Sequence, residues 1–243
     1  MFKRKLVIGD IHGGLKALWQ ILERAKVDTD DQLVFLGDYV DGWSDSPQVI
    51  EFLMELRKTH SCIFIRGNHD ELCYKWLKHG KDNPMWLFHG GRVTVDAYAK
   101  IDTSELPQHI EFFEALENYH LDDENKLFLH AGFTNVHGVK REWFPEMFYW
   151  DRSLWEMAIA LDPALSPEDP NYPKRLTHYN EIYIGHTPTI RIGESVPLHA
   201  AGIWNVDTGA AYEHPLTIMD TATKEYWQSD PVNQLYPGEK GRN

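Results

Sequence analysis

Three short apolar runs near the start of the chain each end in glycine followed by an acid or an amide. The runs at 6–8, 33–36 and 62–65 lead into Gly9-Asp10, Gly37-Asp38 and Arg66-Gly67-Asn68. Apolar residues between the runs recur at helical spacing. Strands that alternate with helices of this length indicate βαβ units and a parallel sheet. Because ligand sites in such sheets lie beyond the carboxyl ends of the strands, we expect these polar residues to meet at one edge.

The second half of the chain predicts mostly strands. Two of its apolar runs end in histidine, at His130 and at Gly185-His186. Four prolines within 162–177 exclude a continuous helix there and predict a long ordered loop, which we suspect of walling the substrate site. No repeat or break in composition divides the chain. We therefore predict one domain over residues 1–228, followed by a loose arm over 229–243.

The polar residues at the strand ends form a donor set suited to metal ions. The set contains oxygen and nitrogen donors without sulfur, namely Asp10, His12, Asp38, Asn68, His130 and His186. Six donors are too many for one tetrahedral zinc and suit two ions of octahedral type that share a ligand. Two such ions can clamp the attacking and leaving oxygens of a phosphoryl displacement.

Composition narrows the possible partners and the compartment. The 243 residues carry a formal net charge of −13, which disfavours binding to nucleic acid polymers or to an anionic membrane surface. Two cysteines are too few for a disulfide framework or a cysteine-based zinc site. The first residues lack the apolar stretch of a signal peptide, so we expect a reducing cytoplasm.

Five motifs in order along the chain resemble those of phosphoprotein-phosphatase-type, calcineurin-like metallophosphoesterases, including the small bacterial and phage Ser/Thr protein phosphatases. They are GDIHG, GDYVDG, RGNHD, LHAG and GHTP, spread over residues 9–188. Phosphodiesterase branches of the superfamily usually end the last motif in Gly-His-x-His, whereas Thr187 and Pro188 follow His186 here. The resemblance implies an α/β fold, a four-layer α/β/β/α sandwich with two mixed β-sheets.

The resemblance also assigns roles to individual residues. Asp10 and His12 would bind a first divalent ion, Asp38 would bridge both ions, and a second ion would take Asn68, His130 and His186. Manganese is the first choice, with iron or zinc as alternatives. His69 would protonate the leaving oxygen, oriented by Asp41, while a hydroxide bridging the metals attacks phosphorus in line.

Arginines should neutralise the phosphoryl oxygens, and here the chain departs from the family pattern. Arg66 and Arg152 match two arginines that bind phosphate in the relatives. The family motif normally reads Gly-Asp-x-Val-Asp-Arg-Gly, but position 42 is Gly42, followed by Trp43. One phosphate-binding arginine is therefore missing from its usual place, which leaves space beside the metals.

The resemblance implies a hydrolytic enzyme, and we expect a Ser/Thr-type protein phosphatase first. Its substrates would be phosphorylated proteins or small phosphoesters. Hydrolysis of a diadenosine polyphosphate is the nearest alternative, because it uses the same ligands and the missing arginine leaves it open. A metal-binding interaction module without catalysis is a second alternative, opposed by the presence of all six candidate ligands and of His69.

Overall fold

A computed structural model describes residues 2–81 and 83–242. Strands alternate with helices along this part of the chain. The strands of this part of the chain are β1 (Lys5–Ile8), β2 (Gln32–Phe35), β3 (Ser61–Phe64), β4 (Tyr119–Leu121), β5 (Lys126–Leu129), β6 (Glu181–Ile184), β7 (Leu198–Ala200), β8 (Ile203–Asn205), β9 (Thr217–Asp220) and β10 (Tyr226–Gln228). Its α-helices are α1 (Leu15–Arg24), α2 (Ser46–Leu56), α3 (Asn68–His79), α4 (Pro84–Trp86), α5 (Arg92–Tyr98), α6 (Leu106–Glu114), α7 (Met147–Trp150), α8 (Ser153–Ala160) and α9 (Val232–Leu235). Shorter helical turns lie at Leu87–Gly91, Val139–Arg141, Lys174–Thr177 and Thr189–Ile192.

The strands form two mixed five-stranded sheets. The first has the order β10-β9-β1-β2-β3, with β1, β2 and β3 parallel and β9 antiparallel to β1. The second has the order β4-β5-β6-β8-β7, with β5, β6 and β8 parallel and antiparallel strands at both edges. The first sheet thus contains three parallel strands, as the alternation of strands and helices predicts, and the second sheet has a parallel centre of three strands.

The alternation of side chains along the strands builds a core in three parts. Val7 of β1 points toward the second sheet, where it belongs to the same buried cluster as Phe128 and Tyr183. Its neighbours Leu6 and Ile8 point the other way and join a cluster with the helices that cover the first sheet. A third cluster joins the second sheet to α7 and α8. The predicted four-layer α/β/β/α sandwich with two mixed sheets is confirmed.

Two edge strands were not expected from the sequence. Strands β4 and β7 have three residues each and are at most half-buried, so no apolar run marks them. The Pro-rich segment 162–177 is irregular apart from one turn at Lys174–Thr177, as predicted. Its residues line a cavity with His199 and Ala200, and this cavity shares no residue with the one lined by Asn68 and His69, so the suspected role as a substrate wall gains no support.

The predicted loose arm is wrong for the residues up to 242, because this segment is anchored. Val232 and Tyr236 are buried, and α9 contacts α1. The indole of Trp43 stacks on the ring of Tyr236 with 5.4 Å between centroids. Aromatic packing, rather than helical periodicity, holds the segment, which is why the sequence pattern gave no sign of it. No helix of the described residues combines the length and the apolar character that a membrane span needs.

Candidate dinuclear metal centre

The six candidate ligands meet where the parallel strands of both sheets end. Asp10 and His12 follow β1, Asp38 follows β2, and Asn68 opens α3 after β3. His130 follows β5 and His186 follows β6, so the second sheet contributes two imidazoles. All six side chains are buried. Their function as ligands stays a prediction, but the structure does bring them together.

A first group of donors comes from the first sheet alone. One donor atom each from Asp10, His12 and Asp38 lies within 4.8 Å of the others. The Nδ1 of His12 is 3.1 Å from the carbonyl oxygen of Val40, which leaves Nε2 for an ion. A hydrogen bond from the second ring nitrogen to a carbonyl is the usual way in which a protein orients a ligating histidine.

A second group joins the two sheets. Donor atoms of Asp38, His130 and His186 lie within 4.8 Å of one another. The Oδ1 of Asn68 is 3.1 Å from Nε2 of His130 and 2.9 Å from Nδ1 of His186, so the amide belongs to this group. His130 directs Nδ1 to the carbonyl of Leu36 at 2.8 Å, so Nε2 is the ring nitrogen that faces Asn68 and Asp38 and could bind an ion.

Asp38 lies between the two groups. Its Oδ2 is 3.5 Å from Nε2 of His12 and 3.5 Å from Nε2 of His130. Its Oδ1 accepts a hydrogen bond from the backbone N–H of His69 at 2.9 Å, which fixes the carboxylate plane. One oxygen facing both groups is the arrangement that a bridging carboxylate needs.

The polar atoms at the centre fit two divalent cations. Asp10 Oδ1 and His186 Nε2 are buried without a hydrogen-bond partner among the described residues. Unsatisfied buried polar atoms are costly, and a metal ion held by Asp10 would offset that cost at its carboxylate, while His186 directs Nδ1 toward Asn68 of the second group. Imidazole and carboxylate together suit manganese, iron or zinc, and the set contains no thiolate.

The backbone around the centre is strained. Four of its residues that are not glycine have a positive φ, namely His12 (51°), Asp38 (52°), Asp41 (72°) and His186 (68°). Glycines make room beside the carboxylates, since a Cβ on Gly185 would collide with Asp10 and one on Gly67 with Asp38. Strained non-glycine residues of this kind concentrate at functional sites.

His69 and Asp41 form a buried pair beside the donor groups, with 5.2 Å between the ring centroids of His69 and His12. The Nδ1 of His69 is 2.5 Å from Oδ2 of Asp41. The same carboxylate accepts hydrogen bonds from Trp86 Nε1 at 2.5 Å and from Thr94 Oγ1 at 2.6 Å. The Asp41 carboxylate therefore orients the His69 ring through Nδ1. His69 also lines the cavity that lies beside the candidate ligands. The sequence did not indicate Trp86 or Thr94, because neither belongs to a motif.

Asp70 has a different place from the one its position suggests. A carboxylate in the first turn of a helix is ordinarily a solvated charge. Here the side chain is buried and accepts backbone N–H bonds from Gly67, Asp38 and Tyr39, each at 2.8 Å. It ties the end of β2 to the start of α3, and so it positions the candidate bridging residue Asp38.

Burial sets the protonation of the centre in the absence of cations. It raises the pKa of Asp38, Asp41 and Asp207 to about 7, and it raises the pKa of Asp10 well above the usual range. Burial lowers the pKa of His130 to about 3, and it lowers the pKa of three other imidazoles, those of His12, His69 and His186, well below the usual value. Without a bound cation or counter-charge, the charged form is thus unfavourable for the buried carboxyls and for the buried imidazoles.

Three arginines surround the opening. A cavity of about 400 Å³ is lined by Arg152, Arg191 and Arg242, together with Asn68 and His69. A smaller cavity of about 20 Å³ reaches His186 and shares the same arginines. Within residues 2–81 and 83–242, none of the three guanidinium groups has a carboxylate within 4.0 Å, and Arg152 Nη1 is buried without a partner.

Of the two arginines predicted to bind phosphate, the structure places one at the cavity and the other away from it. Arg152 lies at the cavity, as expected. Arg66 instead binds Glu71 through Nη1 at 2.5 Å and the carbonyl of Phe113 through Nη2 at 2.9 Å, and it does not line the cavity. Its predicted role therefore gains no support from its contacts. Arg191 and Arg242 were missed because they lie outside the five motifs.

Relatives of known name match the chain over nearly its whole length. A bis(5'-nucleosyl)-tetraphosphatase PrpE [asymmetrical] of Oceanobacillus iheyensis is 26% identical over 234 residues, covering 90% of this chain and 89% of the relative. Serine/threonine-protein phosphatase 1 of Salmonella typhimurium is 24% identical over 220 residues, covering 87% and 89%.

Solved structures share the fold. One described as a putative diadenosine tetraphosphatase aligns with a TM-score of 0.63 at 19% identity, over 94% of this chain and 95% of that one. A protein serine/threonine phosphatase from Saccharomyces cerevisiae aligns with a TM-score of 0.64 at 15% identity, over 98% and 82%. The model of the calcineurin-like phosphoesterase family matches residues 3–229. With the ordered motifs and the two donor groups, this match shows that the chain belongs to the calcineurin-like phosphoesterases and is a hydrolytic enzyme.

Proposed function

We propose that the protein hydrolyses a dinucleoside polyphosphate, such as diadenosine tetraphosphate, with two divalent ions in the candidate centre. One observation supports this choice over a phosphoprotein. Three arginines without ion pairs among the described residues line one cavity of about 400 Å³ beside the candidate ligands. A cavity of this size suits a small-molecule ligand, and several guanidinium groups match a chain of phosphates better than a single phosphate ester.

The cavity also offers an apolar surface at its rim. Trp150 is 43% exposed, and its ring stands edge-on to His186 with 6.3 Å between centroids. Met85 is 65% exposed on the α4 side of the cavity. Flat and flexible apolar side chains beside a cationic cavity suit a base attached to the phosphate chain.

In this proposal, the divalent ions, manganese as first choice, would activate water and polarise the phosphoryl oxygens. Asp10, His12 and Asp38 would hold one ion, and Asn68, His130 and His186 would hold the other together with Asp38. The three arginines would neutralise phosphate oxygens that do not reach the ions.

His69 would supply the proton for the leaving oxygen. Its Nδ1 is directed to Asp41, so Nε2 remains for proton transfer at the cavity. Asp41 is held by Trp86 and Thr94, and its negative charge would stabilise the protonated ring. A positioned acid of this kind contributes roughly 10²–10⁴-fold in rate.

A Ser/Thr-type protein phosphatase remains the second candidate. The observation in its favour is the similarity to serine/threonine-protein phosphatase 1 over 87% of the chain. Both candidates would share the centre and His69, and they differ in what occupies the cavity. A phosphoserine side chain would engage the ions and Arg152, but it would leave much of the cavity unfilled.

A direct comparison of substrates tests the proposal. The purified protein is supplied with manganese, and kcat/KM is measured for diadenosine tetraphosphate and for a phosphoserine peptide. We expect a preference of about 100-fold or more for the dinucleotide, and a preference for the peptide would overturn the proposal. Addition of a chelator should abolish both reactions, and His69→Gln should slow both. Absence of hydrolysis with all substrates and metals would favour the non-catalytic module instead.

A further inference from the structure

Gly42 leaves a gap beside the candidate ligands, and a distant part of the chain fills it. Gly42 follows Asp41 directly and has a φ of +105°. A Cβ at this position would lie 3.3 Å from Cγ of Arg242 and 3.3 Å from the carbonyl oxygen of His12. The stem of Arg242 therefore occupies the space where a side chain of residue 42 would begin.

The guanidinium group of Arg242 reaches the centre. Its Nε donates a hydrogen bond to the carbonyl of His89 at 3.1 Å, and Nη1 lies 3.5 Å from Nε2 of His12. Arg242 lines both the large and the small cavity, together with His69. Since Nε is bound to the backbone, the two Nη groups remain for a ligand.

The segment that carries Arg242 is fastened to the residues just after Gly42. Tyr236 stacks on Trp43 and donates a hydrogen bond to Asp45 at 2.6 Å. Glu239 accepts hydrogen bonds from the backbone N–H and the hydroxyl of Ser44, at 3.0 and 2.7 Å. The three residues 43–45 thus hold the segment that fills the gap at position 42.

A further backbone contact fixes the approach to the centre. The N–H of Arg242 donates to the carbonyl of Ala211 at 2.8 Å. A Cβ on the preceding Gly241 would lie 2.5 Å from the same carbonyl and 2.9 Å from the Trp43 ring. The chain therefore passes too close to Ala211 and Trp43 for any residue but glycine at 241, and this close passage aims the Arg242 side chain at the centre.

We propose that Arg242 is a phosphate-binding residue that reaches the site from the C-terminal segment across the gap at Gly42. Its guanidinium would donate to a non-bridging phosphoryl oxygen of the substrate, in the cavity that Arg152 and Arg191 also line. The proposal requires a phosphoryl ligand at the centre and in that respect rests on the proposed function, but it holds for either class of substrate. When His12 Nε2 binds an ion, it ceases to accept from Arg242, and an oxyanion becomes the natural partner of the freed Nη groups.

Equilibrium binding of inorganic phosphate is the first test. The protein is loaded with manganese, and the phosphate Kd is measured by calorimetry for wild type, Arg242→Ala, Arg242→Lys and Arg57→Ala. Arg57 is exposed at the end of α2 and serves as the charge-matched control. We expect a Kd at least 10-fold higher for Arg242→Ala, an intermediate value for Arg242→Lys and no change for Arg57→Ala.

Metal content and thermal stability separate phosphate binding from a structural role. Tyr236→Phe removes the hydrogen bond to Asp45 and leaves the guanidinium in the chain, so it reports on anchoring. An unchanged phosphate Kd in Arg242→Ala would overturn the proposal, and so would a loss of bound manganese equal to the loss of phosphate binding. If diadenosine tetraphosphate is not hydrolysed but Arg242→Ala still weakens phosphate binding, the proposed substrate fails and this inference stands.

Discussion

Two sets of side chains at the candidate site differ in how their polar groups are paired. We call them the His69 wall, which is His69 with Asp41, and the arginine wall, which is Arg152 with Arg191. On one wall, the carboxylate of Asp41 is buried and accepts hydrogen bonds from Trp86 and Thr94, with His69 at 2.5 Å. On the other wall, no ion pair occupies Arg152 or Arg191 within the described residues. The first wall is complete before a ligand arrives, whereas the second awaits an anion.

This difference predicts different kinetic effects for the two walls. A preorganised group acts chiefly on the transition state, so its loss lowers kcat. A group whose partner is the ligand acts on ground-state binding as well, so its loss raises KM. Variants on each wall therefore test whether the structural contrast is also a functional one.

The largest effect is expected for His69→Gln. Loss of the proton donor should lower kcat about 10²–10⁴-fold for an alkyl phosphate ester, with little change in KM. The loss should be smaller for 4-nitrophenyl phosphate, because its leaving oxygen needs less protonation. Steady-state kinetics with both esters measure the contrast. Equal losses for the two esters would contradict the assignment of His69 as the acid. The manganese content of the variant, measured alongside, serves as the control for an intact metal centre.

A smaller loss is expected for Asp41→Asn. The amide keeps the size of the side chain but removes the charge that stabilises a protonated His69 ring, so kcat should fall on the order of 10²-fold. The pH profile of kcat should lose its alkaline limb or shift it to lower pH. Thr94→Ser retains a hydroxyl for Asp41 and is the matched control. A profile identical to that of wild type would show that Asp41 does not act through His69.

On the arginine wall, Arg152→Ala should raise KM about 10-fold or more while kcat changes less. A hydrogen bond to a charged group contributes about 1.5–3 kcal/mol, and no residue in the described part of the chain ion-pairs with Arg152 to be left unbalanced. Initial rates with diadenosine tetraphosphate measure both constants. Arg66→Ala provides the comparison, because Arg66 is already bound to Glu71. A larger effect of Arg66→Ala on KM would reverse the assignment of the two arginines.

The smallest effect concerns the stability of the metal-free protein. Buried carboxyls such as Asp38, Asp41 and Asp207 have their pKa raised to about 7, so the stability that protonation gives them is lost as pH rises from about 4 through 7. Buried imidazoles have a lowered pKa, so stability is also lost as pH falls below about 6.5. We therefore expect the two effects to offset one another below about pH 6.5, and the metal-free Tm to fall by a few degrees from there to about pH 8.

Differential scanning calorimetry with and without manganese measures this dependence. Bound cations should raise the Tm and flatten the alkaline side of the curve, because they stabilise the ionised carboxylates. A metal-free Tm that climbs steadily from pH 6 to pH 9 would contradict the assigned shifts.

Local patterns predicted the first sheet and the positions of the candidate ligands. A glycine and a polar residue at the end of an apolar run can be recognised from adjacent positions in the sequence alone, as at Asp10 and Asp38. The order of the strands then brings those positions together.

Contacts between distant segments could not be predicted in this way. Arg242 lies 200 positions from the gap at Gly42, and the two segments are joined by stacking of Tyr236 on Trp43 and by hydrogen bonds of Tyr236 and Glu239 to Asp45 and Ser44. Arg66 stands in a motif, yet its partner Glu71 on the following helix α3 holds the guanidinium away from the cavity. Asp70 looks like a surface charge in sequence, but the fold of β2 against α3 buries it.

The positive φ angles at His12, Asp38, Asp41 and His186 bear on how such a site can be lost. Each left-handed residue other than glycine costs about 1–3 kcal/mol, so glycine at these four positions would relax the backbone. A descendant that needed only the fold would have an easy route to greater stability by discarding these side chains. The chain retains these four strained residues, which indicates that their side chains are kept for function and not for stability.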